Sequence, residues 1–368
     1  MGKISPARPS AKASRTMIRS IAIDNFRGFR NLSLDGFRRL NIIVGDNSSG
    51  KTAILEAMFL ASGASPQVVA KLRAWRGFNP ELTGEPLEII DAFWRDLFFD
   101  YSYSKSAHVN LGGTNGDSRE MLIQATSNHR SHQEVISLTA PDKETSRTYR
   151  PLRFGWRGAH DKDFHWEEPE ITGRELTVNV RETNISSYFI SSAHPVAPKF
   201  LASLLSNLRQ NGKEGPFIAA MIREFPFISD ITPEITAGTS MLYAKLKNKQ
   251  KRQPLNLVSA GVYKVANILL HMMQAKKGFV CIDEIENGVY YSRLPSLWKA
   301  VDSLSSQHSS QVFATTHSLE CLQAAAKTLS PNDLSLTQVF REGGYSRALI
   351  TSGENAIAAI KGGLEVRS

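Results

Sequence analysis

The feature that most constrains this chain is a glycine-bounded loop at residues 45–52, which reads GDNSSGKT. It matches the pattern G-x-x-x-x-G-K-[ST] and lies between an apolar run at 40–44, typical of a buried strand, and a helical run at 52–60. Strand, loop and helix in this order are the context in which such a loop binds phosphate. The glycines let backbone N–H groups point at phosphate oxygens, and the helix start adds its positive dipole end. The alternative, a strand–helix turn with an incidental lysine, requires motif and context to agree by chance.

A second motif, GFVCIDE at residues 278–284, ends in two carboxylates. Its apolar residues predict a buried strand. We expect Asp283 to hold Mg²⁺ together with the Thr52 hydroxyl, Lys51 to reach the β- and γ-phosphates, and Glu284 to polarise or deprotonate the attacking water. Phosphoryl transfer needs such an anion cradle, a metal site and a group that positions water. A strand ending in Asp-Glu would be weak evidence alone, but its pairing with the loop predicts nucleotide hydrolysis.

Two further segments allow more than one interpretation. The segment QVFATTHS at 311–318 predicts another buried strand, after which His317 could sense a γ-phosphate or simply be satisfied by backbone. The segment LVSAGVYK at 257–264 opens a helix. Ser259 is either an ordinary N-cap or, with Gly261, part of a surface presented to a second nucleotide across a dimer interface.

With these four segments in order, the chain resembles the ATP-binding-cassette ATPases of the RecF/SMC/OLD type. The resemblance is also carried by IAIDNFRGFR at 21–30 and DEIENG at 283–288, and it spans residues 18–60 and 255–365 well. It implies that ATP is sandwiched between the loop of one subunit and Ser259–Gly261 of another, with Arg27 to Arg30 near the nucleotide or along a basic groove. Three departures are Tyr290, where relatives often have His, Ala260 inside the signature, and a Q-loop for which Gln124 is only a candidate.

The resemblance implies an α/β P-loop NTPase fold of the ABC-ATPase type. We expect a two-lobed head with a mixed sheet, an antiparallel β subdomain and a helical subdomain. Coiled-coil arms are not expected, because the region between Lys51 and Asp283 lacks sustained heptads. The predicted division is a disordered basic tail at 1–16, a lobe with the phosphate loop at 17–190, a helical segment at 191–230, and a lobe with the signature, the carboxylates and His317 at 231–368.

Hydrophobic periodicity predicts the individual elements. Strands are expected at 18–24, 32–34 and 40–44 in one small sheet, at 109–111, at several places between 121 and 181, at 279–282 and at 311–315. Residues 241–246 and 255–258 are expected to form a hairpin. Helices are expected around 89–94 and at 198–208, 217–225, 262–274, 294–306 and 319–328.

The charge and the cysteine content limit which partners the chain can bind and in which cellular compartment it is expected. Residues 1–40 hold nine Lys/Arg against Asp24 and Asp35, which is +7 of the net +9. This basic end could attract nucleic acid or be a solvated tail. A second cluster, Lys245, Lys247, Lys249, Lys251 and Arg252, could contact phosphates or be a solvated hairpin tip. The absence of a bilayer-length apolar run or a signal peptide, and two cysteines without metal-type spacing, predict a cytoplasmic chain that does not contact membranes.

The expected activity is hydrolysis of ATP to ADP and phosphate, with ATP and Mg²⁺ bound. The resemblance implies a nucleotide-gated dimer, or a higher oligomer, that controls a separate effector such as a toxin or a Toprim-like nuclease in prokaryotic anti-phage defence. The alternative is a RecF-like repair ATPase that binds DNA directly. A transporter cassette is disfavoured by the long, poorly matching middle region. A self-contained nuclease is disfavoured because Asp333 is the only Asp after Ser318.

The predicted site residues fall into three groups. The catalytic residues are Glu284 and His317, and the metal ligands are Thr52 and Asp283. The nucleotide-binding residues are Gly45, Asp46, Asn47, Ser48, Ser49, Gly50, Lys51, Thr52, Arg27, Ser259 and Gly261.

Overall fold

The computed structural model describes residues 17–74, 94–125, 152–172, 175–177, 183, 185–193 and 196–362. The strands are β1 (Ile18–Phe26), β2 (Phe29–Asp35), β3 (Leu40–Gly45), β4 (Ala107–Gly113), β5 (Ser118–Ala125), β6 (Leu152–Gly158), β7 (His165–Glu167), β8 (Glu170–Thr172), β9 (Glu175–Thr177), β10 (Ser187–Ile190), β11 (Ile228–Thr236), β12 (Thr239–Leu246), β13 (Gln253–Pro254), β14 (Phe279–Ile282), β15 (Gln311–Thr315), β16 (Leu334–Glu342) and β17 (Tyr345–Ser352). The helices are α1 (Lys51–Ser62), α2 (Gln67–Ala74), α3 (Pro198–Gln210), α4 (Gly215–Glu224), the single turn α5 (Leu255–Val258), α6 (Ala260–Gln274), α7 (Leu294–His308), α8 (Leu319–Thr328) and α9 (Glu354–Lys361).

A mixed, mostly parallel sheet carries the predicted motifs. Its strand order is β10-β14-β15-β3-β16-β17, and only the β16–β17 pair is antiparallel. The strands of the three motifs, β3, β14 and β15, are therefore direct neighbours. Because parallel strands end at the same edge of a sheet, the residues that follow them meet there. This confirms the predicted mixed sheet.

The second large sheet is antiparallel, in the order β2-β1-β4-β5-β6-β7. The prediction that β3 continues the small sheet of β1 and β2 is wrong, because β3 pairs with β15 and β16 instead. All of its residues are buried. A strand buried on both faces suits the middle of a parallel sheet rather than an edge of a half-exposed one.

The two faces of the parallel sheet each pack against a separate hydrophobic core. Along β3, Leu40, Ile42 and Val44 face a core that includes helices α3, α4, α6, α7 and α8. Ile43 faces the other core, which contains α1 and the apolar face of the antiparallel sheet. This follows from the two-residue period of a strand. Nearly every residue of α1 is buried as a result, so the helix after the phosphate loop is fixed on all sides.

A three-stranded sheet of β11, β12 and β13 packs against α3 and α4. The predicted hairpin between 241–246 and 255–258 is confirmed only in part: β12 pairs with β13, at Gln253 and Pro254, across the lysine-rich turn, whereas residues 255–258 form the turn α5. Strand β12 also pairs along its length with β11, across the turn at Ala237 and Gly238. Ala237 and Gly238 both have positive φ, which suits a tight hairpin turn.

Most other predicted elements are confirmed with small shifts at their ends. The strands 279–282 and 311–315 and the helix 319–328 have the predicted bounds. The tail at 1–16 and most of the predicted helix at 89–94 lie outside the described residues. The division at 190 and 231 stays a prediction. In the described part of the chain the longest helices have 15 residues, and none is long and apolar enough to cross a membrane.

Candidate nucleotide-binding and hydrolytic site

The loop after β3 has the backbone shape that its glycines predict. Gly45 has φ +146°, and a Cβ built on it would overlap the Val339 carbonyl oxygen of the adjacent strand β16. Gly50 lies at the N-cap of α1 with φ 113°. Ser48 also has a positive φ, of 64°. The loop therefore curls tightly before α1, whose first N–H groups lack intrahelical partners and can bind an anion.

Lys51 lies over this loop. Its ammonium donates to the carbonyl oxygens of Gly45 and Asp46, both at 2.7 Å. Burial lowers the pKa of Lys51, while the nearby carboxylates of Asp283, Glu284, Asp46 and Glu286 act in the opposite direction. The hydroxyl of Ser49 is buried and has no hydrogen-bond partner among the described residues. The loop thus holds a partly desolvated cation and a free hydroxyl, two groups that phosphate oxygens can use.

The Asp283 carboxylate is the meeting point of three elements. Its Oδ1 accepts from the hydroxyls of Thr52 (3.0 Å) and Thr315 (2.8 Å), and its Oδ2 accepts from Ser192 (2.8 Å). The pair Thr52–Asp283, 231 residues apart in sequence, is therefore brought together as predicted. Asp283 is only 7% exposed.

These oxygens fit a magnesium ion. Mg²⁺ takes oxygen ligands and is usually held by one or two carboxylates plus substrate phosphates rather than by a protein cage. The described residues contain no group of three or more His, Cys, Asp or Glu side chains arranged to hold a metal. The adjacent oxygens of Thr52 and Asp283 would hold the ion together with the phosphates of a nucleotide. Bound there, the ion would neutralise phosphate charge.

Glu284 is held in an uncommon backbone conformation. Its φ is 46°, in the left-handed region that a residue with a Cβ rarely adopts. Its backbone N–H donates to Thr315 Oγ1 at 2.8 Å. Thr315 therefore fixes both acidic residues, since the same hydroxyl donates to Asp283. Such strain costs about 1–3 kcal/mol and concentrates at functional sites.

His317 lies beside the carboxylates but is closer to Glu286 than to Glu284. Its ring Nδ1 is 3.3 Å from Glu286 Oε1 and 4.0 Å from Glu284 Oε1. The backbone N–H of His317 also donates to Glu286 Oε1 at 3.0 Å. Glu286 therefore sets the position of His317. The following residue, Ser318, caps α8 by accepting from the Cys321 N–H.

The signature segment is a helix start whose cap is formed within the subunit. The Ser259 hydroxyl accepts from the N–H groups of Gly261 (3.1 Å) and Val262 (3.4 Å). Gly261 has no space for a side chain, because a Cβ would overlap the carbonyl oxygen of Gly288. The segment thus packs on the turn that follows the carboxylates. Ser259 and Ala260 are exposed, and their role toward a second subunit stays a prediction.

Arg27 and Gln124 contact residues outside the loop. The Arg27 guanidinium pairs with Glu56 on α1 (2.6 Å) and with Asp96 (3.1 Å), and its role toward the nucleotide stays a prediction. Gln124 lies in β5, opposite Arg153 in the antiparallel sheet. It does not follow a strand of the parallel sheet.

The sequence did not single out four residues of this site: Ser192, Lys264, Glu286 and Thr315. Glu286 and Thr315 lie inside the segments 283–288 and 311–318. The sequence showed their positions in these motifs but not the side chains with which they form hydrogen bonds. Lys264 donates from Nζ to the Asp283 carbonyl oxygen at 3.2 Å, and burial lowers its pKa. Its position five residues after Ser259 is the only signal that the sequence contains.

Comparisons with known proteins agree with this geometry. Residues 116–322, more than half of the chain, match the family described as "AAA domain, putative AbiEii toxin, Type IV TA system". Residues 17–155 match a second family, described as "AAA ATPase domain". The chain therefore belongs to the family of residues 116–322 and is an AAA-family ATPase.

Individual relatives are distant. A protein named "ATP/GTP phosphatase" from Helicobacter pylori is 24% identical over 344 residues, which cover 87% of this chain and 90% of that protein. The DNA replication and repair protein RecF of Lachnoclostridium phytofermentans is 39% identical over 64 residues, covering 16% of this chain and 18% of RecF. The SMC head domain from Thermotoga maritima aligns over 91% of this chain and 99% of its own, with 15% identity and a TM-score of 0.45.

Proposed function

We propose that this ATPase is a dimeric switch, gated by ATP, that controls a partner effector in prokaryotic anti-phage defence. The observation that carries the proposal is the convergence of Lys51, Thr52, Asp283, Glu284 and His317 at one edge of the parallel sheet. Lys51 and the loop would bind the β- and γ-phosphates. Glu284 would accept a proton from the attacking water, and His317, positioned by Glu286, would respond to the γ-phosphate.

The dimer is supported by the surface around the signature. Ser259 and Ala260 are exposed. Leu257, just before the signature, is a 76% exposed apolar side chain. Tyr290 (65%) and Tyr291 (60%), just after the turn on which the signature packs, are also exposed. Exposed large apolar side chains close to one another mark interaction sites. A second subunit that brings its own phosphate loop to this surface would cover them and complete the ATP site.

The effector role is supported by the family description, which refers to a toxin and a TA system. The partner would be a separate toxin or nuclease. The site in this chain would hydrolyse ATP, and the partner would carry the effector activity. We expect the ATP-bound dimer and the nucleotide-free subunit to differ in affinity for that partner.

Replacing Glu284 by Gln tests the switch. The amide keeps the shape of the side chain but cannot accept a proton, so turnover should fall by roughly 10²- to 10⁴-fold while ATP stays bound. Light scattering in ATP and Mg²⁺ should then give twice the subunit mass, a trapped dimer. Glu342→Gln is the matched control, because Glu342 is exposed on β16 and pairs only with Arg347 among the described residues. Wild-type turnover in Glu284→Gln would remove Glu284 from the reaction.

A RecF-like ATPase that binds DNA is the second candidate. Of the basic cluster at 245–252, Arg252 is neutralised by Asp230 and Glu234. Lys247, Lys249 and Lys251 are exposed and form no ion pair with the described residues. Salt-dependent binding of duplex DNA by the wild-type chain would favour this candidate, since lysine contacts to phosphates weaken as salt rises.

A further inference from the structure

Strand β10 brings an unpredicted residue to the edge of the site. It is the end strand of the parallel sheet and pairs with β14, so that Ile190 lies opposite Ile282. The backbone N–H of Asp283 continues this ladder by donating to the Ile190 carbonyl oxygen at 2.8 Å. Ser192, two residues further on, is thereby placed beside the Asp283 side chain.

The three hydroxyls around Asp283 divide its two oxygens unequally. Thr52 and Thr315 share Oδ1, whereas Ser192 is the partner of Oδ2 in the described structure. An ionised carboxylate offers about four lone-pair sites, so a metal ion can still bind it. Rotation of the carboxylate about its Cβ–Cγ bond would exchange the two oxygens. The hydrogen bond from Ser192 opposes that rotation.

Two residues in the first turn of α6 form hydrogen bonds near this site. The Tyr263 hydroxyl donates to the carbonyl oxygen of Val196, between Ser192 and the start of α3, at 2.7 Å. Burial raises the pKa of Tyr263 to about 12, so the phenol keeps its proton at neutral pH and remains a donor. The next residue, Lys264, donates to the Asp283 backbone. The helix that begins at Ser259 therefore contacts Val196 and the strand end with Asp283.

We propose that Ser192 is a positioning residue for the metal and nucleotide: its hydroxyl fixes the Asp283 carboxylate with Oδ1 toward Thr52. The proposal rests on the function proposed above, because it assigns a role within the same site. Lys264, on the helix that begins at the exposed signature, separately contacts the backbone of the same Asp283.

The test is the Mg²⁺ dependence of nucleotide binding, measured by calorimetry with a non-hydrolysable ATP analogue. Loss of a group that orients a metal ligand typically costs roughly 10- to 100-fold in metal affinity. Ser192→Ala should therefore raise the Mg²⁺ concentration needed for half-maximal tightening at least about tenfold, and should leave the affinity measured in EDTA unchanged. Ser192→Thr keeps the hydroxyl and should restore the wild-type Mg²⁺ dependence.

Ser186→Ala is the matched control. Ser186 lies just before the other end of β10, where its hydroxyl donates to the Gln274 carbonyl oxygen at 3.4 Å, and its loss should leave the Mg²⁺ dependence unchanged. The proposal is overturned if Ser192→Ala behaves like Ser186→Ala, or if it weakens binding equally with and without Mg²⁺, as local disorder would. A wild-type chain that binds no nucleotide would instead refute the proposed function.

Discussion

At the phosphate loop, one residue is restricted by the space around it and another supplies a positive charge. Gly45 has no room for a side chain beside β16, and Lys51 is a cation whose water has been partly removed by burial. The two carbonyl oxygens that Lys51 now contacts are weaker partners than a phosphate dianion. Binding of a triphosphate would therefore replace modest hydrogen bonds by charge-assisted ones.

Lys51→Ala should abolish measurable ATP binding, with a loss of at least roughly 100-fold in affinity, because several charge-assisted contacts to the β- and γ-phosphates disappear together. Calorimetry with ATP and Mg²⁺ measures this directly. Lys71→Ala is the control, since Lys71 is an exposed lysine on α2. Undiminished affinity in Lys51→Ala would contradict the assignment of residues 45–52 to phosphate.

At the scale of elements, α6 has two ends of different character. Its start, at Ser259, is exposed and capped, whereas the rest of the helix is almost entirely buried. It packs its apolar side into the core with α3, α4 and α7. A change at the exposed start can therefore act on a partner without disturbing the packed body of the helix.

Ser259→Arg should spare ATP binding but block ATP-dependent pairing and hydrolysis, because a bulky cation would obstruct the approach of the second subunit. Loss of the cap alone costs about 0.5–2 kcal/mol of stability. Melting temperature, light scattering and turnover separate the two effects, and Ser259→Thr preserves a capping hydroxyl as the control. A lower melting temperature with normal turnover per folded molecule would reduce Ser259 to a helix cap.

At the scale of the whole molecule, burial makes stability depend on pH. His271 on α6 is 3% exposed, contacts the rings of Tyr188 and Phe200, and forms a hydrogen bond through Nδ1 with the Asn267 carbonyl oxygen. Burial lowers its pKa from 6.5 to about 4. The unfolded chain therefore takes up a proton between these values that the folded chain does not.

The sign of the effect follows from that difference. The free energy of unfolding should be highest above pH 6.5 and should fall by about 3 kcal/mol through this residue as pH drops toward 4. Urea denaturation at pH 7.5, 6 and 5 would measure it. His271→Phe should flatten the dependence, whereas His160→Gln, at an exposed turn, should leave it unchanged. An equal slope in His271→Phe would show that other groups cause the acid sensitivity.

The local elements and the polar residues at their ends could be predicted from the amino-acid pattern. The loop at 45–52, the strand before Asp283 and the strand before His317 were recognisable because period, glycine placement and strand ends are local properties. Parallel strands then require their ends to meet, which is why Thr52 and Asp283 could be paired in advance.

Strand pairing and the partners of buried polar side chains became visible in the folded chain alone. Strand β3 joins β15 and β16 rather than β1 and β2, and β12 pairs with β11, because pairing depends on burial of both faces and on neighbours far away in sequence. Ser192 reaches Asp283 across 91 residues and Arg27 pairs with Glu56 on α1. Such contacts are selected when whole layers close on one another and desolvate their polar groups, and no local pattern records that choice.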